Sequence, residues 1–320
     1  MHSFLCEMWE NKIKKVAMPK VFIIILNWNG KDDTLACLDS VQKLDYADYR
    51  VIVVDNASTD GSVSAIRLSY PSASWLSIIE NRENLGYTGG NNIGIQYAMD
   101  QGAQYVWILN NDTIVEPDSL DALISKAEEN PSAGILGPKV LCYPNTHLLY
   151  SRGESYSLWF NRRTVDIGEF DNRQDVLPRN VDYVVGCAML VTKEFIERVG
   201  MLDETFFAYF EEVDWCFRGR RSGFDILYVP EAVIYHKGGA SSGGTSSPIV
   251  SYYHTRNWIY FMRKHAMFYH WVTFVPLFIF VFLRRFLKAM IRRDVQVMKA
   301  LCRAVIWNLR RSLGGSVKDA

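Results

Sequence analysis

Short apolar runs alternate with amphipathic segments along the first half of the chain. Val21 to Leu26 is a run of six apolar residues, which is too short for a buried helix and typical of a strand covered on both faces. Similar runs recur at Val51 to Val54 and at Tyr105 to Leu109, and apolar residues return at helical spacing from Leu35 to Val41. This alternation predicts βαβ units and a mostly parallel central sheet flanked by helices, with ligands at the carboxyl ends of the strands.

The pattern changes after Gly134. Residues 144 to about 180 are rich in polar and aromatic residues without a clear period, and we interpret them as an excursion that covers one side of the site. Asp182 to Thr192 predicts a return to a buried strand, Glu211 to Arg221 predicts a helix, and Ile226 to Val229 predicts another strand.

These changes of pattern divide the chain into three regions. Residues 1–17 are interpreted as an N-terminal extension, without the apolar core of a secretory signal. Residues 18–241 form the expected α/β domain, and the Gly/Ser segment from Gly238 to Ser247 predicts a flexible loop or linker. Residues 242–320 are expected to form a helical, basic C-terminal region.

The C-terminal region contains a segment that suits a membrane. Ala266 to Leu283 holds 18 residues without an acidic or basic side chain, and basic residues flank it on both sides. Spanning needs about 20 apolar residues, and His270 and Pro276 interrupt the run, so an interfacial or re-entrant helix fits at least as well. A buried core helix is the alternative. Because basic flanks favour anionic headgroups, we expect the protein at the cytoplasmic face of the cell membrane, peripheral or monotopic.

Composition and charge narrow the classes of function. The 320 residues are 49% hydrophobic and 22% charged, which excludes a disordered or collagen-like chain. Basic and acidic residues are equal at 35 each, so no nucleic-acid partner is expected, although 12 of the basic residues lie from Arg263 onward. The six cysteines lack C-x-x-C spacing, which disfavours a zinc ribbon and a disulfide framework.

Polar side chains follow the first two predicted strands. Asp55 ends the run V-I-V-V, where its carboxylate can accept from a nucleotide base or ribose, although a turn is the alternative. Asp60, by contrast, is expected to cap the next helix. Asn27 and Asn29 stand at the end of the preceding strand and are expected to border the same pocket.

A glycine-rich motif, N-L-G-Y-T-G-G-N-N-I-G, covers residues 84–94 and includes Asn84, Gly90 and Asn91. Four glycines before a helical pattern imply a close backbone approach. A phosphate at the helix N-terminus is one explanation, and a tight turn capped by asparagine is the other. The motif is not G-x-G-x-x-G, so it gives little support to a dinucleotide site.

The third strand run ends in Asn110, Asn111 and Asp112. An oxygen-rich strand end suits Mg²⁺ or Mn²⁺, which takes one or two carboxylates and its other ligands from phosphates and water. Taken alone, the same letters also fit a turn. His236 follows the apolar V-I-Y and can complete a metal site as a neutral imidazole, although a lone histidine is usually not a ligand.

In this order the motifs resemble those of the family 2 inverting glycosyltransferases, above all the bacterial rhamnosyltransferases. The resemblance runs from about Val21 to Ser241 and rests on I-I-I-L-N-W-N-G, V-V-D-N-A-S-T-D-G-S, the glycine-rich motif, L-N-N-D-T, F-F-A-Y-F-E-E-V-D-W-C-F-R and H-K-G-G-A-S. It implies the GT-A fold and transfer of a sugar from a nucleotide sugar to a hydroxyl of a glycan or lipid-linked acceptor. Rhamnose from dTDP-rhamnose, used in cell-surface polysaccharide synthesis, is the donor that the resemblance suggests.

The resemblance also implies roles for the donor-side residues. Asp55 resembles the aspartate that holds the base, and Asp112 matches the metal-binding aspartate of a D-x-D motif whose first position is Asn110 here. His236 resembles the remaining ligand of the Mg²⁺ or Mn²⁺ ion. The nucleotide-sugar site is then expected to include Asn27, Asn29, Asp55, Asn84, Gly90, Asn91, Asn110 and Asn111.

Three acidic residues, Glu211, Glu212 and Asp214, stand at the start of a predicted helix. In isolation they express the preference of a helix N-terminus for negative charge. The resemblance makes them the family's E-D-x-D segment, in which the second carboxylate is normally the general base. That residue is Glu212, with Glu211 and Asp214 as alternatives because a glutamate replaces the usual aspartate.

Two other classes of function remain open from the sequence. A nucleotide-dependent oxidoreductase would use the same α/β pattern, but the G-x-G-x-x-G motif is absent. A membrane-attached protein that binds nucleotide sugars without catalysis is compatible with the departures at Asn110 and Glu212. Release of a nucleoside diphosphate distinguishes the enzyme from this binding protein.

Overall fold

The computed structural model describes residues 20–159, 162–163, 167–172, 177–238 and 247–312. The predicted N-terminal extension and most of the predicted Gly/Ser segment lie outside the described residues. The strands within them are β1 (Val21–Asn27), β2 (Tyr49–Asp55), β3 (Leu76–Glu80), β4 (Tyr105–Asn110), β5 (Thr113–Val115), β6 (Ala133–Cys142), β7 (Leu149–Ser151), β8 (Tyr156–Ser157), β9 (Arg162–Arg163), β10 (Arg179–Asn180), β11 (Ala188–Thr192) and β12 (Asp225–His236).

Helices cover both faces of the sheet and continue beyond it. They are α1 (Lys31–Val41), α2 (Ser62–Ser69), α3 (Gly86–Asp100), α4 (Ser119–Glu129), α5 (Lys193–Val199), α6 (Glu211–Arg221), α7 (Pro248–His265), α8 (Trp271–Ile291) and α9 (Val295–Ser312), with single 3₁₀ turns at Glu204–Phe206 and Phe268–His270. The predicted elements β1, β2, β4, α1 and α6 are thereby confirmed.

The central sheet is mixed, whereas the sequence predicted a mostly parallel one. Its strand order is β10-β12-β6-β11-β4-β1-β2-β3, and β3, β2, β1 and β4 are mutually parallel. Strand β11 runs antiparallel to both of its neighbours, β4 and β6. The chain leaves β6 at the carboxyl edge and re-enters at β11 from that edge, so the strand direction reverses. The excursion between them therefore stays on the side of the sheet where a ligand site is expected.

The core has two layers, one on each face of the sheet. Alternate residues of β1 point to opposite faces: Ile23 and Ile25 join one buried cluster, and Phe22 and Ile24 join the other. Burial of both faces explains why the strand is apolar throughout rather than alternating.

The C-terminal region packs in two different ways. Phe261 of α7 is fully buried and belongs to the same cluster as Phe210 and Tyr156, so α7 is part of the core. In α8, by contrast, only Phe274 and Ala289 are buried. Helix α8 is therefore not the buried core helix that the sequence left open as an alternative. None of the helices within the described residues is both long enough and apolar enough to cross a membrane.

Candidate active site

The carboxyl ends of β1, β2 and β4 meet in a buried polar network. Parallel pairing places Asn27 beside Asp55. The Asn27 amide donates to Asp55 Oδ1 at 2.7 Å, and its Oδ1 accepts from the Thr34 hydroxyl at 2.8 Å. Asn111, after β4, donates to the same Thr34 hydroxyl at 3.0 Å. These hydrogen bonds join the ends of the three strands. All four side chains are buried, so water does not compete for the bonds.

The loop after β2 continues this network. The other Asp55 oxygen accepts from the Ser58 amide at 2.9 Å, and the Asn29 side chain accepts from the Thr59 amide at 2.8 Å. Asp60 accepts from the Ser62 amide at 3.0 Å, but the N-cap residue of α2 is Gly61, so Asp60 lies one residue before the cap position that the sequence predicted for it. Asp55 and Asn29 thus lie together, as the sequence predicted, at the edge of one loop.

The glycine-rich motif packs α3 against the sheet. A Cβ at Gly90 would lie 2.3 Å from the Leu26 side chain, so glycine allows the helix to meet β1 directly. Asn91 is buried and donates at 2.8 Å to a carbonyl one turn earlier in the helix. Asn84 accepts from the Gly86 amide at 2.8 Å, as in the asparagine-capped turn. These contacts account for the motif within the protein, and a role toward a nucleotide sugar stays a prediction.

Asp112 and His236 form a buried pair at the same edge. Strand β5 pairs with β12 in a register that sets Thr113 opposite His236, and His236 Nε2 lies 3.0 Å from Asp112 Oδ1. Burial by itself would raise the pKa of Asp112, but the hydrogen bond and charge of His236, with the charge of Lys237, hold that pKa below its usual value. Asp112 is therefore an ionised carboxylate beside an imidazole at physiological pH.

The Asp112–His236 pair offers two candidate ligands for a metal ion. The buried Nδ1 of His236 has no hydrogen-bond partner among the described residues, and Tyr150 packs edge-on against its ring at 4.5 Å. No group of three or more His, Cys, Asp or Glu side chains in the described part of the chain is arranged to hold a metal ion. The pair fits an ion that takes its remaining ligands from a diphosphate and water, as Mg²⁺ commonly does.

Glu212 projects from the start of α6 toward the same edge. A Cβ at Gly186 would lie 3.6 Å from Glu212 Cβ, and Cys187, the next residue, accepts from the Asn110 amide at 2.9 Å. The pKa of Cys187 is raised first by burial and then by the charges of Asp112 and Glu212, so both carboxylates lie near this short segment. The buried Oε2 of Glu212 has no hydrogen-bond partner among the described residues.

Glu211 and Tyr87 lie beside Glu212. Glu211 is buried, and the Tyr87 hydroxyl donates to the Gly186 carbonyl at 2.5 Å. The pKa of Tyr87 is raised well above its usual value by burial and by the charges of Glu211 and Glu212. Tyr87, Gly186 and Thr34 were not singled out by sequence analysis, since their importance comes only from distant neighbours.

Asp214 faces away from this group. It is fully buried, with His265 Nε2 at 2.7 Å, Lys264 Nζ at 2.8 Å and Arg218 Nε at 2.9 Å from its oxygens. Burial would raise the pKa of Asp214, but the hydrogen bond with His265 and the charges of Arg218 and Lys264 lower it. Because cations occupy its carboxylate, we assign Asp214 a structural role that joins α6 to α7.

Replacing Asp214 with asparagine should destabilise the protein. Breaking a buried ion pair leaves its partners uncompensated, so we expect a loss on the order of 3 kcal/mol in the free energy of unfolding, measured in urea. The control is Glu197→Gln, which removes an exposed pair with Lys193 and should cost less than about 1 kcal/mol. Equal midpoints for Asp214→Asn and wild type would contradict the structural role.

The stabilising contribution of Asp214 should depend on pH. Since the folded-state pKa of Asp214 is lowered, its contribution is present above the unfolded value of roughly 4 and is lost as pH falls through the folded value. The stability difference between wild type and Asp214→Asn should therefore shrink in acid below about pH 4, as measured by urea unfolding across that range.

The fold, a mixed sheet flanked by helices, is that of a GT-A glycosyltransferase. The model of glycosyl transferase family 2 matches residues 22–200, more than half of the chain, and the chain belongs to this family. It is therefore a glycosyltransferase, and the resemblance seen in the motifs is confirmed. The oxidoreductase alternative is set aside, because the matched family is one of transferases.

Similar proteins include two bacterial rhamnosyltransferases. The chain is 29% identical over 234 residues to the N-acetylglucosaminyl-diphospho-decaprenol L-rhamnosyltransferase of Mycobacterium tuberculosis. The aligned region covers 68% of this chain and 75% of that protein. It is 23% identical over 252 residues to a dTDP-rhamnosyl transferase of Shigella flexneri, with 77% and 80% covered.

A solved structure of GalNAc-T7 with UDP, GalNAc and Mn²⁺ shares the fold. The TM-score is 0.61 at 16% identity, over 75% of this chain and 48% of that one. The chain thus spans about half the length of that protein, and at this identity the likeness concerns the fold.

Proposed function

We propose that the protein transfers a sugar from a nucleoside-diphosphate sugar to an acceptor hydroxyl by a single displacement that inverts the anomeric carbon. The observation that carries this proposal is the Glu212 carboxylate, at the edge that also bears Asp112 and His236. Its buried Oε2 has no hydrogen-bond partner in the part of the chain that the structure describes. A carboxylate free to accept a proton and a separate ionised carboxylate for the leaving group are what the reaction requires.

Each group has a distinct task in this proposal. Glu212 takes the proton of the attacking hydroxyl, which is typically worth ~10²–10⁴ in rate. Asp112 and His236 would hold a divalent ion, and a bound Mg²⁺ or Mn²⁺ would neutralise the charge that develops on the leaving diphosphate. Asp55, with Asn27 and Asn29 around it, binds the base or ribose of the donor.

The proposed donor is dTDP-rhamnose and the proposed acceptor is a lipid-linked saccharide. The names of both rhamnosyltransferases support rhamnose as the sugar, and the name of the Shigella protein supports dTDP as the nucleotide. The diphospho-decaprenol in the name of the mycobacterial protein supports the lipid-linked acceptor. The product would then serve cell-surface polysaccharide synthesis.

Incubation with single nucleotide sugars and membrane lipid extracts tests this assignment. We expect dTDP-rhamnose to release nucleoside diphosphate only when the extract is present, with one labelled lipid product. Release from another nucleotide sugar would revise the donor and keep the class of reaction. Binding of nucleotide sugars without release from any of them would support the non-catalytic alternative and contradict the proposed transfer.

A membrane surface is the proposed partner of α8. Its exposed face carries apolar side chains at helical spacing, and basic side chains follow at its C-terminal end. The apolar residues are Val272, Val275, Ile279, Phe280, Leu283, Leu287 and Ile291, and the basic ones are Arg284, Arg285, Lys288, Arg292 and Arg293. Apolar burial in the interface and attraction of about 1 kcal/mol per basic residue would act together at the cytoplasmic face.

The double variant Ile279→Glu/Leu283→Glu should release the protein from membranes. Each exposed side chain would contribute about 1.5–3 kcal/mol on burial, so co-sedimentation with anionic vesicles should weaken by at least ~10²-fold. The matched control is Leu68→Glu on α2, since Leu68 is 83% exposed on the α/β domain, against 50% for Ile279 and 52% for Leu283. Unchanged co-sedimentation of the double variant would contradict the membrane-facing role of α8.

A further inference from the structure

The segment from Thr205 to Phe210, which we call the pre-base loop, has an unusual backbone. Phe207, Tyr209 and Phe210 have φ values of 62°, 70° and 75°, in the left-handed region that large side chains rarely adopt. Each such residue costs about 1–3 kcal/mol and persists only where its surroundings enforce it. The loop leads directly into α6, whose second residue is Glu212, so its conformation sets where that carboxylate lies.

Asn257 of α7 holds the loop by its carbonyls. Its side-chain nitrogen lies 2.9 Å from the Phe206 oxygen, 2.7 Å from the Ala208 oxygen and 2.7 Å from the Tyr209 oxygen. Asn257 is fully buried, so these carbonyls have an amide donor where water is excluded.

Arg256 completes this contact. Its Nη2 donates to the Phe206 carbonyl at 2.7 Å and to the Thr205 carbonyl at 2.5 Å, and its Nε donates to Asn257 Oδ1 at 2.8 Å. The guanidinium is fully buried and lies 4.7 Å from the centre of the Trp307 ring of α9. Of the two remaining carbonyls of the loop, that of Phe207 accepts from the Thr88 amide at 3.1 Å and that of Phe210 accepts from the Asp214 amide at 2.9 Å.

Stability alone does not account for a guanidinium in this place. Burying a charged group is costly, and an apolar residue of similar volume is often as stabilising or more so. Arginine adds a rigid set of hydrogen-bond donors in fixed directions. Here its Nη2 donates to the loop and its Nε donates to Asn257. The arrangement fixes geometry at the N-terminus of α6.

We infer that Arg256 and Asn257 are positioning residues, which fix the pre-base loop and thereby the place of Glu212, whose Cβ lies beside Gly186. This inference rests on the proposed role of Glu212 as the general base. Neither side chain is assigned a contact with substrate. A displacement of about 1 Å at a reacting group can lower the rate by ~10²-fold. Removing the side chain of Arg256 or of Asn257 should therefore lower kcat.

The test is a double-mutant cycle with Glu212, read as kcat for nucleoside diphosphate release at saturating donor and acceptor. Alone, Asn257→Ala should lower kcat by about 10²-fold with little change in the donor KM. In the Glu212→Gln background the same substitution should change kcat by less than about threefold, because a missing base cannot be misplaced. A loss in both backgrounds of equal size would overturn the inference, since a general structural defect acts without regard to Glu212.

A milder pair of variants keeps the test decisive if Asn257→Ala folds poorly. Arg256→Lys retains the positive charge and loses the planar set of guanidinium donors. It should lower kcat when Glu212 is present and change it little in the Glu212→Gln background. Its control is Arg263→Lys on the same helix, where Arg263 donates to the Asn308 carbonyl of α9 rather than to the loop. Wild-type kcat for Arg256→Lys would overturn the role of Arg256. Full kcat for Glu212→Gln by itself would instead refute the proposed function, so the two failures are distinguishable.

Discussion

Replacement of Glu212 by glutamine is expected to lower turnover by at least ~10²-fold while donor binding is largely kept. Glutamine preserves the size of the side chain and removes its ability to accept a proton. Because the residues proposed to bind the nucleotide and the metal lie on other elements, the donor should still bind. The measurement is kcat for nucleoside diphosphate release, with donor affinity measured separately by calorimetry.

Neighbouring acids provide the controls for this result. Glu211→Gln makes the same change one residue earlier, and Asp214→Asn removes the third carboxylate of the segment. We expect both variants to retain more turnover than Glu212→Gln when each is assayed at a temperature where it is folded. If Glu211→Gln were the variant that stopped transfer, the base would be Glu211 and the assignment would be wrong by one residue.

Asp112→Ala is expected to abolish transfer and the response to Mg²⁺ or Mn²⁺. Neutralising charge on a leaving phosphate is worth several kcal/mol, so the loss in kcat/KM should be about 10³-fold or more. His236 would be the one remaining member of the pair, and a single imidazole is a poor site for a hard cation. The assay is product formation during a titration with each metal, with EDTA as the reference.

An aspartate remote from the site is the matched control for Asp112. Asp100, exposed at the C-terminal end of α3, should tolerate Asp100→Ala with wild-type activity and metal response. Full activity of Asp112→Ala, or of the wild type in EDTA, would contradict the assigned metal role. Calorimetry of donor binding with and without metal would then show whether any ion takes part.

Short apolar strands were the most predictable part of the fold. The runs behind β1, β2 and β4 are too short for helices and too apolar for loops, which leaves few alternatives. The predicted ends of strands were less accurate where a proline falls inside an otherwise apolar run. The sequence predicted a strand at Ile226 to Val229, whereas β12 extends from Asp225 to His236 with a register shift after Val229, where Pro230 interrupts the pairing.

Strand direction could not be predicted from apolar pattern alone. The segment Asp182 to Thr192 reads as a buried strand, but only Ala188–Thr192 is one, and it runs against its neighbours. Its direction depends on the path of the preceding excursion, which carries no regular period. A mixed sheet follows from that path rather than from the residues of β11 themselves.

The site was predictable to the extent that its residues follow strand ends. Asn27, Asp55 and Asn111 come together because neighbouring strands end at one edge, and that edge is implied by the βαβ pattern. Arg256 and Asn257 gave no such signal, since the carbonyls that they bind lie about 50 residues earlier in the chain. Similarly, the sequence shows that α8 is apolar but cannot show which of its side chains the core leaves exposed.

The central claim is that the protein moves a sugar from a nucleotide to an acceptor with inversion. The most direct measurement follows one reaction by NMR with the nucleotide sugar and lipid fraction that are active together, and compares wild type with Glu212→Gln. We predict one nucleoside diphosphate released per sugar transferred, a product of opposite anomeric configuration to the donor, and at least ~10²-fold slower formation of both by the variant. A product with the donor's configuration, or equal rates for the two proteins, would contradict the account.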